Sequence, residues 1–249
     1  MRKIFHAVYL STALLSSVTW AQENKESKQA PEAHLKITKD FEQKLSRLTL
    51  ECRLRPLELK LRQGIISQGS GRSFALILKD GKIHFKTAGK TLSIEEGKIA
   101  KAEWVHIAAC WDGTRKSIWI NGQKHAEGEF SGTFSSTEKL RIGALNRKGE
   151  AGLSLDGDLA QCVIYNRVLT AEEIKERSDK WELKLPLSDD IVAYWPLNEG
   201  EGTIINDKGP HAYHGILINM NSWIDAVPDN KESAGRKALR FKRQRFSKK

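Results

Sequence analysis

Long apolar runs are scarce in this 249-residue chain. The clearest one, Ile4 to Thr19, follows the basic pair Arg2-Lys3 and holds no acidic or basic side chain apart from His6. It ends at Thr19-Trp20-Ala21, before polar Gln22-Glu23-Asn24. That is the pattern of a secretory signal peptide, so residues 1–21 are expected to be removed. The run is short for a membrane span and interrupted by Ser and Thr. No later stretch is long and apolar enough to cross a bilayer. The mature chain is therefore expected to be exported and soluble: periplasmic, cell-envelope or secreted.

Cysteine is also sparse. The three residues are Cys52, Cys110 and Cys162, with no Cys-x-x-Cys pair and no Cys/His cluster at zinc-ligand spacing. A structural zinc site is therefore not expected. An oxidising compartment permits one disulfide and leaves one thiol.

Acid is missing from one region altogether. Residues 236–249 contain eight basic residues and no Asp or Glu. Setting these and Arg2-Lys3 aside, residues 22–235 hold 31 basic and 31 acidic residues, so the net charge of +10 belongs to the ends. No nucleic-acid partner is expected of the folded body. The basic tail is read as solvated, with contact to anionic surfaces as its alternative.

Catalytic constellations are absent as well. A glycosidase needs two carboxylates flanking one bond, and no strand carries such a pair. Asp156 and Asp158 flank Gly157 and read as turn residues. His106 falls in a strand pattern and reads as a packed strand residue. No Ser or Cys sits in a nucleophile motif. The chain is not expected to be an enzyme.

What is present is a series of short alternating segments. Leu48, Leu50, Cys52 and Leu54 alternate with Thr49, Glu51 and Arg53, predicting a half-buried strand that ends at Pro56. Phe74, Leu76 and Leu78 lead through Asp80-Gly81 into Ile83 and Phe85. Val105, Ile107, Ala109 and Trp111 lead through Asp112-Gly113 to Ile118 and Ile120, then Asn121-Gly122. Leu140–Ile142 and Ala160–Tyr165 complete the set. Many strands with turn signals about every ten residues predict an all-β, antiparallel sandwich. One helix is predicted over 171–181, with Thr170 and Glu173 forming a capping box and Ile174 and Trp181 facing inward.

Two blocks resemble a known family. Trp104-Val105-His106-Ile107-Ala108-Ala109-Cys110-Trp111-Asp112-Gly113, followed by Ile118-Trp119-Ile120-Asn121-Gly122, is similar to the central stretch of laminin G-like jelly-roll domains of the concanavalin A-like lectin/glucanase superfamily. Gly157-Asp158-Leu159-Ala160-Gln161-Cys162-Val163-Ile164-Tyr165, continuing to Ile174, resembles that family's last strand and following helix. A third run, Val192-Ala193-Tyr194-Trp195-Pro196-Leu197-Asn198-Glu199-Gly200-Glu201-Gly202, resembles the opening of bacterial laminin G-like domains. The organisation read from this is a polar linker at 22–34, a jelly-roll domain at 35–182, a second segment at 183–241 and a basic tail at 242–249. The second segment is either a truncated domain or strands that complete the first sandwich.

The resemblance implies a binding module for a glycan or an extracellular or envelope protein. A structural or assembly domain of an envelope system is the alternative, and a glycoside hydrolase is a third reading. Pentraxin-like relatives imply a bridge between Cys52 and Cys110. Their strand registers differ here, Cys52–Cys162 competes equally, and three buried thiols are the alternative. The pentraxin type of calcium site is not expected, because Ala144-Leu145-Asn146-Arg147-Lys148 offers no carboxylate where those relatives place acids. Asp207 remains as a candidate calcium ligand against a turn role. Most tryptophans occupy positions a sandwich would bury. Trp119, out of phase with Ile118 and Ile120, is the candidate for stacking on a sugar.

Overall fold

The structure, a computed structural model, describes residues 32–243 except 70–72, 96, 133–137, 148–149, 182–184, 186–187, 220–221 and 227–235. The expected signal peptide, most of the polar linker and residues 244–249 of the basic tail lie outside the described residues.

In chain order the strands are β1 (His34–Ile37), β2 (Leu48–Pro56), β3 (Gln63–Gln68), β4 (Phe74–Lys79), β5 (Lys82–Thr87), β6 (Lys90–Ser93), β7 (Val105–Trp111), β8 (Arg115–Ile120) and β9 (Gln123–Glu129). They continue with β10 (Leu140–Ile142), β11 (Leu145–Arg147), β12 (Glu150–Gly152) and β13 (Gly157–Tyr165). After helix α1 (Ala171–Asp179) come β14 (Ile191–Trp195), β15 (Ile204–Ile205), β16 (Gly215–Ile218), β17 (Ser222–Asp225) and β18 (Lys237–Phe241).

Two large antiparallel sheets form the sandwich. The first runs β15-β16-β1-β10-β3-β4-β5-β6, and the second runs β17-β18-β13-β2-β7-β8-β9, with β14 also paired to β13. Both expected tight turns form. Asp80 and Gly81 take φ of 52° and 65°, and Asn121 and Gly122 take 48° and 78°, the left-handed pair that matches the twist of a two-residue hairpin. Between the sheets, Leu50, Leu54, Ile107 and Leu159 from one side join Leu35, Leu76, Phe85 and Ile142 from the other in one apolar core. No helix among the described residues is long and apolar enough to cross a membrane.

Strands β14 to β18 all come from the segment after residue 190. They are spent on both sheets: β16 pairs β1, while β14 and β18 pair β13. Trp195, Leu197, Tyr213, Leu239 and Phe241 enter the main core.

Strand β2 departs from its half-buried reading. Its outward side chains Thr49, Glu51 and Arg53 are buried too, because α1 and the turn before it lie over that face. Glu51 accepts hydrogen bonds from His106 (2.8 Å) and Tyr165 (2.8 Å), with Arg177 of α1 3.6 Å away. Burial alone pushes the Glu51 carboxyl up. The His106 bond and charge, the Arg177 charge and the Tyr165 hydroxyl outweigh it and hold the carboxyl below its ordinary range.

The helix begins as expected, with Thr170 and Glu173 completing the capping box. It ends at Asp179, two residues earlier than predicted. There Arg53 Nη2 donates to the carbonyls of Arg177 (2.7 Å), Ser178 (3.1 Å) and Lys180, closing the helix C-terminus with a cation.

Asp158 also differs from its turn reading. It is fully buried within β13, where its carboxylate meets Arg55 (2.7 Å) and Arg240 (2.7 Å). Of the readings left open for the cysteines, the structure has three buried thiols: Cys52, Cys110 and Cys162 are all free. Cys110 lies on the outer face of its sheet with Val163 and Tyr165, whereas Cys52 and Cys162 face the main core, so the Cys52–Cys110 pair is separated by the sheet itself. Burial pushes all three thiols up, that of Cys110 to about 11.

Candidate functional site

The edge of β13 is shared by two strands. Gly157–Leu159 pair with β18, and Cys162–Tyr165 pair with β14. The change of partner falls at Ala160 and Gln161. On the other side the β2 register shifts at the same place, between Ala160 and Val163, which marks a β-bulge. Gln161 takes φ of 53°, a left-handed conformation that costs a side-chain-bearing residue about 1 kcal/mol or more. Its backbone N–H donates to Pro196 O, 3.2 Å away, just past the end of β14.

A cavity of about 170 Å³ opens at this junction, lined by Ala160, Gln161, Trp181, Tyr194, Pro196, Asn198, Arg236 and Lys237. Pockets that enclose a whole drug-sized ligand begin near ~300 Å³. This one has room for a single group at the end of a larger molecule.

Gln161 is the polar centre of the wall. The residue is 7% exposed. Nε2 donates to the Trp181 carbonyl, which orients the amide and leaves Oε1 buried with no partner among the described residues. A buried acceptor left unmade costs about 1–3 kcal/mol. Trp181 is held by neighbours on two sides. The Arg53 guanidinium lies 4.9 Å from its ring centroid, and Trp104 meets it edge-on at 5.1 Å and 85°. Burial pulls the Arg53 guanidinium down to about 10, and Arg236 is among the charges that act in the same direction.

Opposite, Asp207 fixes the backbone that carries Tyr194. Its Oδ1 accepts from the N–H groups of Tyr194 (2.7 Å) and Gly209 (2.7 Å), and Oδ2 accepts from Tyr213 N (2.8 Å). The carboxylate is thus engaged with backbone donors at a turn. No group of three or more His, Cys, Asp or Glu side chains that could hold a metal occurs among the described residues.

Trp119 lies elsewhere on the same outer face. It is half-buried beside the α1 cluster, with Nε1 donating to Ser117 (2.9 Å) and Lys124 Nζ 5.7 Å from its ring. Neither Trp119 nor Asp207 lines the cavity. The residues that do were not singled out from sequence, apart from Trp181, which was read as facing inward. The detectable signal was Gln161, a long polar side chain among the apolar residues of a core strand.

A family model described as the concanavalin A-like lectin/glucanases superfamily, the Laminin_G_3 group, matches residues 28–175. The chain belongs to that superfamily. Comparison with curated proteins returns no match. Among solved structures, a Bacteroides ovatus protein described as carbohydrate-binding is similar at TM-score 0.61 and 16% identity, over 76% of this chain and 58% of that one. The chain thus spans little more than half the length of that structure. A heptameric SAP-like pentraxin from Limulus polyphemus is similar at TM-score 0.55 and 18% identity, covering 66% of this chain and 83% of its own. A family 40 carbohydrate-binding module of the Ruminococcus gnavus IT-sialidase gives TM-score 0.51 and 14% identity, over 61% and 96%. At these identities the likeness is one of fold.

Proposed function

We propose that this superfamily member is an exported, non-catalytic module that binds a saccharide at the β13 junction. The observation that carries the reading is Gln161: strained at the backbone, oriented by Trp181, and holding a buried acceptor beside a cavity walled by Trp181, Tyr194 and Asn198. Hydroxyl-rich ligands supply donors to such an acceptor, and aromatic walls take the apolar face of a sugar ring. None of the described lining residues is a carboxylate, the group that glycosidic acid–base chemistry requires in pairs. The carbohydrate-binding description of the Bacteroides ovatus structure supports the same reading.

The test is a saccharide array probed with the whole mature chain, repeated with Asn198→Ala and Gln161→Leu. Capture of defined saccharides, weakened about tenfold or more by either substitution at unchanged melting temperature, is the expected result. Absence of capture, or capture indifferent to both substitutions, would overturn the proposal.

An assembly role has one observation of its own. Ile204 and Ile216 face each other across the β15–β16 pair at the edge of the first sheet, 62% and 42% exposed. Ile204→Lys would then lower the mass measured by light scattering at high protein concentration.

A further inference from the structure

Strand β13 breaks its alternation at one point. Leu159 faces the main core and Ala160 faces outward, so regular alternation would turn Gln161 inward and Cys162 outward. The reverse is found. Gln161 lines the outer cavity, while Cys162 is fully buried in the main core. The bulge is the cause. Ala160 is opposite Arg53 and Val163 is opposite Glu51, so two residues of β13, Gln161 and Cys162, share one residue of β2. That residue is Cys52, which is also fully buried in the main core.

Two thiols therefore meet across adjacent antiparallel strands, on one face and at one level. Opposed residues in such a pair have Cα atoms about 4.5–5.5 Å apart, inside the span of about 4.4–6.8 Å that a disulfide bridges. A charge on Cys52 acts on the Cys162 thiol, as it does between neighbours. Cys110 stands outside the pair. It lies on the other face of the sheet with Val163 and Tyr165, where the Thr49 hydroxyl donates to its sulfur at 3.5 Å. Burial holds the Cys52 and Cys162 thiols above their ordinary range, and a protonated, enclosed thiol does not react. Any oxidation of the pair must precede the docking of β13 on β2.

We infer that Cys52 and Cys162 are a modification site, closed to a disulfide across the bulge when the chain folds in the presence of a disulfide oxidant, and that Cys110 stays a thiol. The inference stands apart from the saccharide reading. The chemistry is two successive exchanges. One cysteine gives up its proton, and its thiolate attacks a sulfur of the oxidant, a small-molecule or protein disulfide, expelling one oxidant thiolate. The thiolate of the other cysteine then attacks the first cysteine's sulfur in that mixed disulfide. The S–S bond forms and the second oxidant thiolate leaves. The cysteines lose two electrons and two protons, and the oxidant gains them as two thiols. The bridge ties β2 to β13 across the long chain between them, which restricts the unfolded state and favours the folded one.

The test refolds the whole mature chain from denaturant, once with reduced glutathione alone and once with a mixture of oxidised and reduced glutathione. Thiols are then counted in denaturant on the folded fraction of each sample. Three are expected from the first and one from the second. Mass spectrometry of the second sample's unreduced digest should find the Cys52 and Cys162 peptides joined. Its melting temperature should lie about 5–10 °C above that of the first. Cys110→Ala should leave the joined peptides in place, and Cys52→Ala in the same mixture should leave none. Three thiols in both samples overturn the inference. So does a bridge that includes Cys110, or a Cys52–Cys162 bridge that lowers the melting temperature, because the bulge would then not present the two sulfurs to each other.

Discussion

Asp158 of β13 binds Arg240 of β18 at 2.7 Å, with the carboxylate fully buried and the guanidinium at the sheet surface. The same carboxylate holds Arg55 of β2. One acid therefore ties together three adjacent strands, the last of them drawn from the far end of the chain. Asp158→Asn keeps the shape and removes the charge, leaving two arginines around a neutral amide. Breaking such a pair from one side costs about 3 kcal/mol. Urea denaturation should show a lowered midpoint, and a loss below about 1 kcal/mol would show that solvent compensates both arginines.

The pairings of β14, β16 and β18 make the strands after residue 190 part of the sandwich. Deleting 188–249 strips one edge of β13 and removes Trp195, Leu197 and Phe241 from the core. Each such large buried side chain is worth about 1.5–3 kcal/mol, so the remainder is expected to lose cooperative thermal unfolding. An unchanged melting temperature would mean that residues 35–187 fold without it.

Acid should destabilise the protein through Glu51. Its folded-state pKa is depressed below 4.5. Its stabilising contribution is therefore fully present above that unfolded value and is lost as pH falls through the folded value. Glu51→Gln should cost about 3 kcal/mol at pH 7 and flatten the stability profile below about pH 4.5. A parallel profile for parent and variant would assign the acid transition to other carboxylates.

Lys116 produces a slope of the same sign on the alkaline side. Its side chain is buried beneath the sandwich edge, donating to Lys90 O (2.8 Å) with the Phe130 ring centroid 4.5 Å away. Burial lowers its pKa from 10.5 to about 8. The folded state then holds the proton less tightly than the unfolded one. The penalty is full below pH 8 and fades as pH rises to 10.5, so this group makes stability increase over that window. Lys116→Met should abolish the increase and stay within about 1 kcal/mol of the parent at pH 7. Retention of the alkaline rise in the variant would refute the assignment.

The thiols give a chemical check. Native protein should react only slowly with a disulfide reagent, because burial raises all three thiols. Denatured protein that has met no disulfide oxidant should titrate three thiols. One thiol after refolding with such an oxidant would establish a bridge, and Cys52 with Cys162 share the core face that allows it.

Much of the fold was legible from local pattern. Period-two alternation found β2, β4, β7 and β13, and the Asp-Gly and Asn-Gly turns found two hairpins, because side-chain phase and positive φ are properties of a few consecutive residues. Strands β3, β6, β9, β11 and β12 were among those missed. β9 is Gln123–Glu129, exposed and polar throughout most of its length, and it is a strand only because β8 offers it hydrogen-bonding partners. Local pattern also misjudged Glu51, Arg53 and Asp158. Polar residues in alternation read as solvent-facing, yet here a helix and a distant strand lie over them.

The sequence by itself determined the all-β class, the helix start at Thr170 and the location of charge at the chain ends. These follow from periodicity, capping and composition, which act within a few residues. Only the tertiary structure decided that Arg240 belongs to a buried ion pair, that Cys52 and Cys110 face opposite sides of one sheet, and that Gln161 meets Trp181, Asn198 and Arg236 around a cavity. That cavity exists because β13 exchanges one partner strand for another at a bulge, and the partners come from residues 191–195 and 237–241. No local signal at Gln161 encodes which strands will arrive there, since pairing is set by burial of both faces across the whole sandwich.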